Sequence, residues 1–193
     1  MSKKFLKDFD PKNVAFHEYQ MWRFYYQHNF FRLFLELVAF FRSYFGLGFF
    51  GVLLPAYYAA AAATQFRKCK GRESEADMQE ILQALESFYR IISNKSFTPL
   101  ESKKIAALEL HWWLVDRYPT KFTQTRVEAI SYWAAALFAV DPAQCMEFAT
   151  HRSEAMELQD LYEHGAVEAI DWPKIRTLLE KSYVSLYKSI HNV

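Results

Sequence analysis

The chain has 193 residues, 52% hydrophobic and 23% charged, a composition that suits one globular domain with a large core. Five Gly and six Pro are too few for the many turns of an all-β protein of this size. The formal net charge is +1, and the basic clusters are short (Lys3, Lys4, Lys7 and Arg67, Lys68, Lys70), which speaks against a nucleic-acid binder.

Residues 1–12, MSKKFLKDFDPK, hold no apolar run long enough for a signal peptide. They read as a flexible tail ahead of a single helical domain spanning 13–193. Asp10, Pro11 and Asn13 are start signals for the next element. Residues 14–45 contain neither Pro nor Gly and are dense in Phe, Tyr and Trp. At about 100° per residue most of that circumference is apolar, which predicts one long central helix buried by its neighbours. A narrow polar seam interrupts it, with Glu18, Tyr25, Asn29, Arg32 and Glu36 falling within about 60° of one another. His17 and His28 also share a face.

Residues 43–66 carry no charge, are long enough for a membrane span, and are followed by Arg67, Lys68 and Lys70. Gly46, Gly48, Gly51 and Pro55 interrupt the stretch, and its second half is weakly hydrophobic alanine and tyrosine. It therefore reads as an apolar connector over 46–54 and then a buried alanine-rich helix opened by Pro55, without a span.

Ser74 and Asp77 have capping-box spacing. Ile81, Leu82, Leu85, Phe88, Tyr89 and Ile92 follow at helical intervals. Thr98, Pro99 and Glu101 start a fourth helix that runs to Arg117 and stops before Pro119. Thr125 with Glu128 starts a fifth, and Asp141 with Pro142 starts a sixth that reaches about Glu163. Gly165 breaks the chain, and Asp171 and Pro173 open a last helix through Tyr187. The fold class is all-α, a bundle of about six to seven helices around the aromatic one.

Two carboxylates sit where apolar residues are expected. On the fourth helix Ile105, Leu108, Trp112 and Val115 define a face, and Glu109 and Asp116 lie within about 40° of Ile105. A buried charge needs a partner. The expected donor is Arg32, with Tyr25 and Trp113 as lesser candidates. The pairing would fix helix register, or the carboxylates would serve as ligands or acid–base groups. On the sixth helix His151 lies within the arc of Phe148, Ala155, Leu158 and Tyr162, and Glu154 follows it by three.

With Glu18, His28, Glu36, Glu109, His151 and Glu154 turned inward, the chain resembles the ferritin-like di-iron carboxylate proteins, bundles that place carboxylates and histidines around metal. That resemblance implies a transition-metal site for iron, manganese or zinc, drawn from Glu18, Glu36, Glu109, His151 and Glu154. The chain departs from the class in having no Glu-x-x-His motif. Glu109 and His111 are spaced wrongly, and His151 with Glu154 runs in reverse. The His-x-x-x-His of DinB-like metal bundles is missing too.

No Walker loop, dinucleotide fingerprint, nucleophile elbow or Cys-x-x-Cys occurs. Cys69 and Cys145 make no disulfide framework and suit a reduced cytoplasmic protein. The run RFYYQHNFFRLF could stack single-stranded bases, but its rings span the whole wheel, as core residues do. The segments HEYQMWRFYYQHNF, ALELHWWLVDR and EAMELQDL, with the closing DW and LLEKSY, resemble those of a group of all-helical bacterial proteins with no assigned activity. The resemblance covers residues 17–183 and implies a soluble bacterial protein. The reading is a soluble bundle that binds a protein partner or a small apolar ligand, with no cofactor, nucleic acid or membrane. The alternatives are a metal-dependent enzyme with its site inside the bundle and a membrane-associated protein that inserts residues 43–66.

Overall fold

Asp10 opens the first helix, its carboxylate accepting from the backbone N–H groups of Lys12 and Asn13 at 3.0 and 3.4 Å. The computed structural model describes residues 5–95 and 100–192, and among them the chain is all-α. Helix α1 spans Pro11–Tyr26. The tail predicted over residues 1–12 is corrected from Leu6 onward, while Phe5 is exposed. Leu6 and Phe9 are buried, and the Phe9 ring meets Tyr44 and Tyr187 edge-on at centroid distances of 5.1 and 5.6 Å. Two large apolar side chains next to the first helix gain more from the core than from solvent.

The single long helix is also corrected. α1 stops at Tyr26, His28 takes a left-handed backbone with φ 54°, and the Asn29 side chain accepts from the Arg32 N–H at 3.2 Å. Helix α2, Phe30–Phe45, then packs back on α1 as a hairpin. The absence of Pro and Gly does not guarantee continuation. His and Asn tolerate the left-handed region, and Asn is a preferred N-cap. The second half of α2 supplies Phe40, Phe41, Tyr44 and Phe45 to the core, where Phe41 lies 5.0 Å from Phe88. Gly46, at φ 64°, ends the helix.

Only residues 46–48 separate α2 from α3, Phe49–Lys68, so the predicted connector over 46–54 is mostly helix. Pro55 lies inside α3 instead of opening it, at the cost of one bond to the Gly51 carbonyl. One side of α3 (Val52, Pro55, Ala56, Ala62) is buried, and the helix packs on α4, Glu75–Lys95. Ser74 and Asp77 exchange side-chain-to-backbone bonds of 3.1 and 3.0 Å at the start of α4, as their spacing predicts.

The start signal at Thr98 and Pro99 lies outside the described residues. Helix α5 is Ser102–Arg117 and a 3-10 turn follows at Pro119–Lys121. Helix α6, Arg126–Phe138, opens on the Thr125–Glu128 capping box. The sixth helix of the sequence reading begins as a 3-10 turn, Pro142–Cys145, and becomes helix α7 over Met146–Glu163. Helix α8, Trp172–His191, ends on Asn192. Successive helices pack as neighbours throughout, α2 on both α1 and α3, and α8 returns to α1 and closes the bundle. The described residues thus hold eight α-helices.

Candidate functional site

Glu18 of α1 is 4% exposed. Its two carboxylate oxygens accept from the Arg152 guanidinium of α7 at 2.7 and 2.6 Å, a bidentate pair. The Tyr183 hydroxyl of α8 donates to the same carboxylate. The guanidinium carbon of Arg152 also stands 5.9 Å from the Trp22 ring and 6.0 Å from that of Trp112. Burial alone would weaken the hold of Arg152 on its proton, but Glu18 more than reverses this and its pKa ends above the ordinary value. Burial pushes the Tyr183 and Tyr44 hydroxyls well above theirs, so both stay protonated donors. The Tyr44 hydroxyl, Trp112 Nε1 and Arg152 Nε are buried without a hydrogen-bond partner among the described residues.

A second relay lies across α4, α5 and α6. Trp133 Nε1 donates to the Tyr89 hydroxyl at 2.8 Å, and Tyr89 donates to Glu109. Burial pushes the Glu109 carboxyl up to about 7, against the opposing pull of Tyr89 and Arg152. Asp116 takes its charge partner from the neighbouring helix. Arg126 Nη1 reaches Asp116 and Asp160 at 2.8 Å each, and its Nε donates to Ser153 Oγ at 3.0 Å. Burial still raises the Asp116 pKa, although Arg126 opposes it.

The expected pairing of Arg32 with these carboxylates is therefore corrected. Arg32 is exposed, with its guanidinium 5.7 Å from the Phe24 ring. Tyr25 is exposed as well, and Trp113 packs on Phe66 at 5.2 Å. The turn at 27–29 breaks the wheel on which the seam was drawn. Glu18 and Tyr25 belong to α1, Asn29 to the turn, and Arg32 and Glu36 to α2.

The residues considered for metal lie in four places. Glu18 is in the Arg152 pair, and Glu36 meets His17 Nδ1 at 2.8 Å. Glu109 is bonded to Tyr89, while His151 stands 3.4 Å from Glu154 and 3.7 Å from Glu147. His28 is in the exposed turn. Among the described residues no three His, Cys, Asp or Glu side chains are grouped so as to hold a metal ion.

The sequence reading missed Arg152, Tyr183 and Arg126. On the α7 wheel Arg152 lies about 40° beyond Phe148, outside the arc that holds His151, so that arc did not single it out. The residues that α7 buries are Phe148, Ala149, Ser153 and Ala155, and Arg152 falls among them.

The least expected feature is on the outside. Phe49, Phe50, Leu53, Leu54 and Tyr57 of α3 are all exposed, Phe50 to 87%, and Phe31 at the start of α2 is 74% exposed. Four of these five α3 residues lie in the stretch read as a connector, 46–54, and in the alanine-rich helix read from Pro55 only Tyr57, Ala63 and Thr64 are exposed, because α3 packs on one side only. Over its most apolar window α3 has a mean hydropathy of 1.2 and is 22% buried, and among the described residues it alone is long and apolar enough to cross a membrane. Its neighbour α4 turns Gln79, Glu80, Gln83 and Arg90 outward instead, as a surface helix normally does. Near the start of α3 a shallow groove of about 480 Å³ is lined by His17, Ala39, Arg42, Ser43, Gly46 and Leu47. The Arg42 guanidinium stands 6.0 Å from the Phe49 ring.

No family model, curated protein or solved structure matches the chain.

Proposed function

We propose that the protein is a binding module whose working surface is the outer face of α3. The observation that carries this reading is the exposure of Phe49, Phe50, Leu53, Leu54 and Tyr57 in one row. Burying an exposed Leu or Phe side chain gains about 1.5–3 kcal/mol, so an occupant has a large favourable term waiting for it. Single exposed apolar residues need no account, but a row of them marks an interaction surface. The interior supports the same division of labour. Glu18, Glu109 and Asp116 each have a protein donor, and such pairs fix the register of packed helices.

The metal-dependent enzyme is the second reading. Its support is the set of buried or half-buried carboxylates and histidines, which occupy separate places in the bundle. The surface face is a single continuous feature and supports the binding module better.

An environment-sensitive apolar dye tests the reading. The folded protein should enhance its fluorescence, and a variant with Phe50→Ser, Leu54→Ser and Tyr57→Ser should lose most of that signal while melting at the same temperature. No enhancement with the native protein, or a variant that fails to fold, would place these side chains in the core and overturn it.

A further inference from the structure

We propose that the occupant of the α3 face is the headgroup–acyl boundary of an anionic lipid bilayer. The inference rests on the reading of that face as the binding surface, and what selects a bilayer is the charge around it. Between Glu36 and Glu73 the chain has no acidic residue, while Arg42, Arg67, Lys68, Lys70 and Arg72 are all basic. The rest of the chain balances them, since the net charge is only +1. The cations stand at both ends of the apolar row. Arg42 lies 6.0 Å from the Phe49 ring, with no carboxylate partner among the described residues. On the α3 wheel Arg67 and Lys68 share an arc of about 140° with Phe49, Leu53, Leu54 and Tyr57.

Apolar and aromatic side chains in the plane of a helix, rimmed by Lys and Arg, are what an interfacial anchor presents to anionic lipid. The protein body behind α3 takes the place of the polar face that a free anchor helix carries. A transmembrane pose is disfavoured, because Val52, Ala56 and Ala62 are fully buried on the inner side and would have to leave α4. A second copy of the chain covering the same face is an outcome of the test below. Arg42 also lines the shallow groove, which puts one donor for a lipid phosphate at the edge of the inserted side chains.

The test is flotation of the full chain with vesicles of phosphatidylcholine alone or with roughly one third phosphatidylglycerol. Binding should require the anionic lipid and weaken in high salt. It should fall on the order of tenfold when Arg42→Gln and Lys68→Gln are combined, as removing surface-facing cations predicts. It should be abolished by Phe50→Ser with Leu54→Ser, circular dichroism remaining that of the native protein. Equal binding to both vesicles, no binding to either, or a concentration-dependent dimer that excludes lipid would each overturn the inference. If the apolar dye still binds while the vesicles do not, the binding surface stands and its occupant is not a bilayer. If neither binds, both readings fall.

Discussion

Glu18 and Arg152 are 134 residues apart in the chain and meet through two hydrogen bonds of 2.7 and 2.6 Å inside the bundle. The pair ties α1 to α7, and Tyr183 adds α8 to the same carboxylate. Breaking such a pair from one side strands a buried charge, so Arg152→Met should cost about 3–5 kcal/mol in a denaturant melt. Arg32→Leu should cost about 0.5 kcal/mol or less, because Arg32 is on the surface. Removing both charges, as Glu18→Gln with Arg152→Met, should recover part of the loss. Equal losses for Arg152→Met and Arg32→Leu would contradict the assignment.

Glu109 makes stability depend on pH. Its carboxyl holds a proton to about 7 in the folded chain, against 4.5 for the free group. Between those values the native state binds more protons than the unfolded one, so stability falls as pH rises. The loss is complete above about 7 and amounts to up to about 3 kcal/mol at 1.36 kcal/mol per pH unit. Glu109→Gln keeps an acceptor for Tyr89 and removes the titration. Plotted against pH, the stability difference between the native chain and this variant should change across that window. Parallel curves would show that Glu109 is ionised in the fold at its ordinary pKa.

The turn between α1 and α2 gives a local prediction. Asn29→Ala removes the acceptor of the Arg32 N–H and should cost about 1 kcal/mol. His28→Gly should stabilise by up to about 1 kcal/mol, because glycine enters the left-handed region freely. If the segment were one continuous helix, His28→Gly would destabilise by a similar amount, about 1 kcal/mol. Thermal melts of the two variants decide between these.

The anchoring of the N-terminus is testable in the same way. Phe9 packs on Tyr44, Phe138, Tyr183 and Tyr187. Phe9→Ala should therefore cost about 3–5 kcal/mol, the range for emptying a core aromatic site. A loss near zero would return residues 5–10 to the status of a tail.

The fold class was legible because helical periodicity and caps are local. The Thr125–Glu128 box, the Ser74–Asp77 exchange and the Asp10 and Asp171 caps all stand where their spacing puts them. The interior partners were not legible. Glu109 and Asp116 take their donors, Tyr89 and Arg126, from other helices, which the periodicity of their own helix does not name. The seam failed at one turn, since the αL residue His28 rotates everything after it off the wheel. The outer face of α3 was misread for a different reason. Apolar composition fixes what a helix would bury, and packing on one side only left Phe50 and Tyr57 outside.

Thiol reactivity at α3 reads the exposure of its outer face. The native cysteines give a silent background, because Cys69 and Cys145 are both buried and burial pushes the Cys145 thiol up to about 12. A Leu54→Cys variant should react with a water-soluble maleimide within about tenfold of the rate of a free thiol, at full native helicity. Anionic vesicles should then protect it. A folded Leu54→Cys chain that resists the reagent without vesicles would mean that the α3 face is already covered, and would contradict the account.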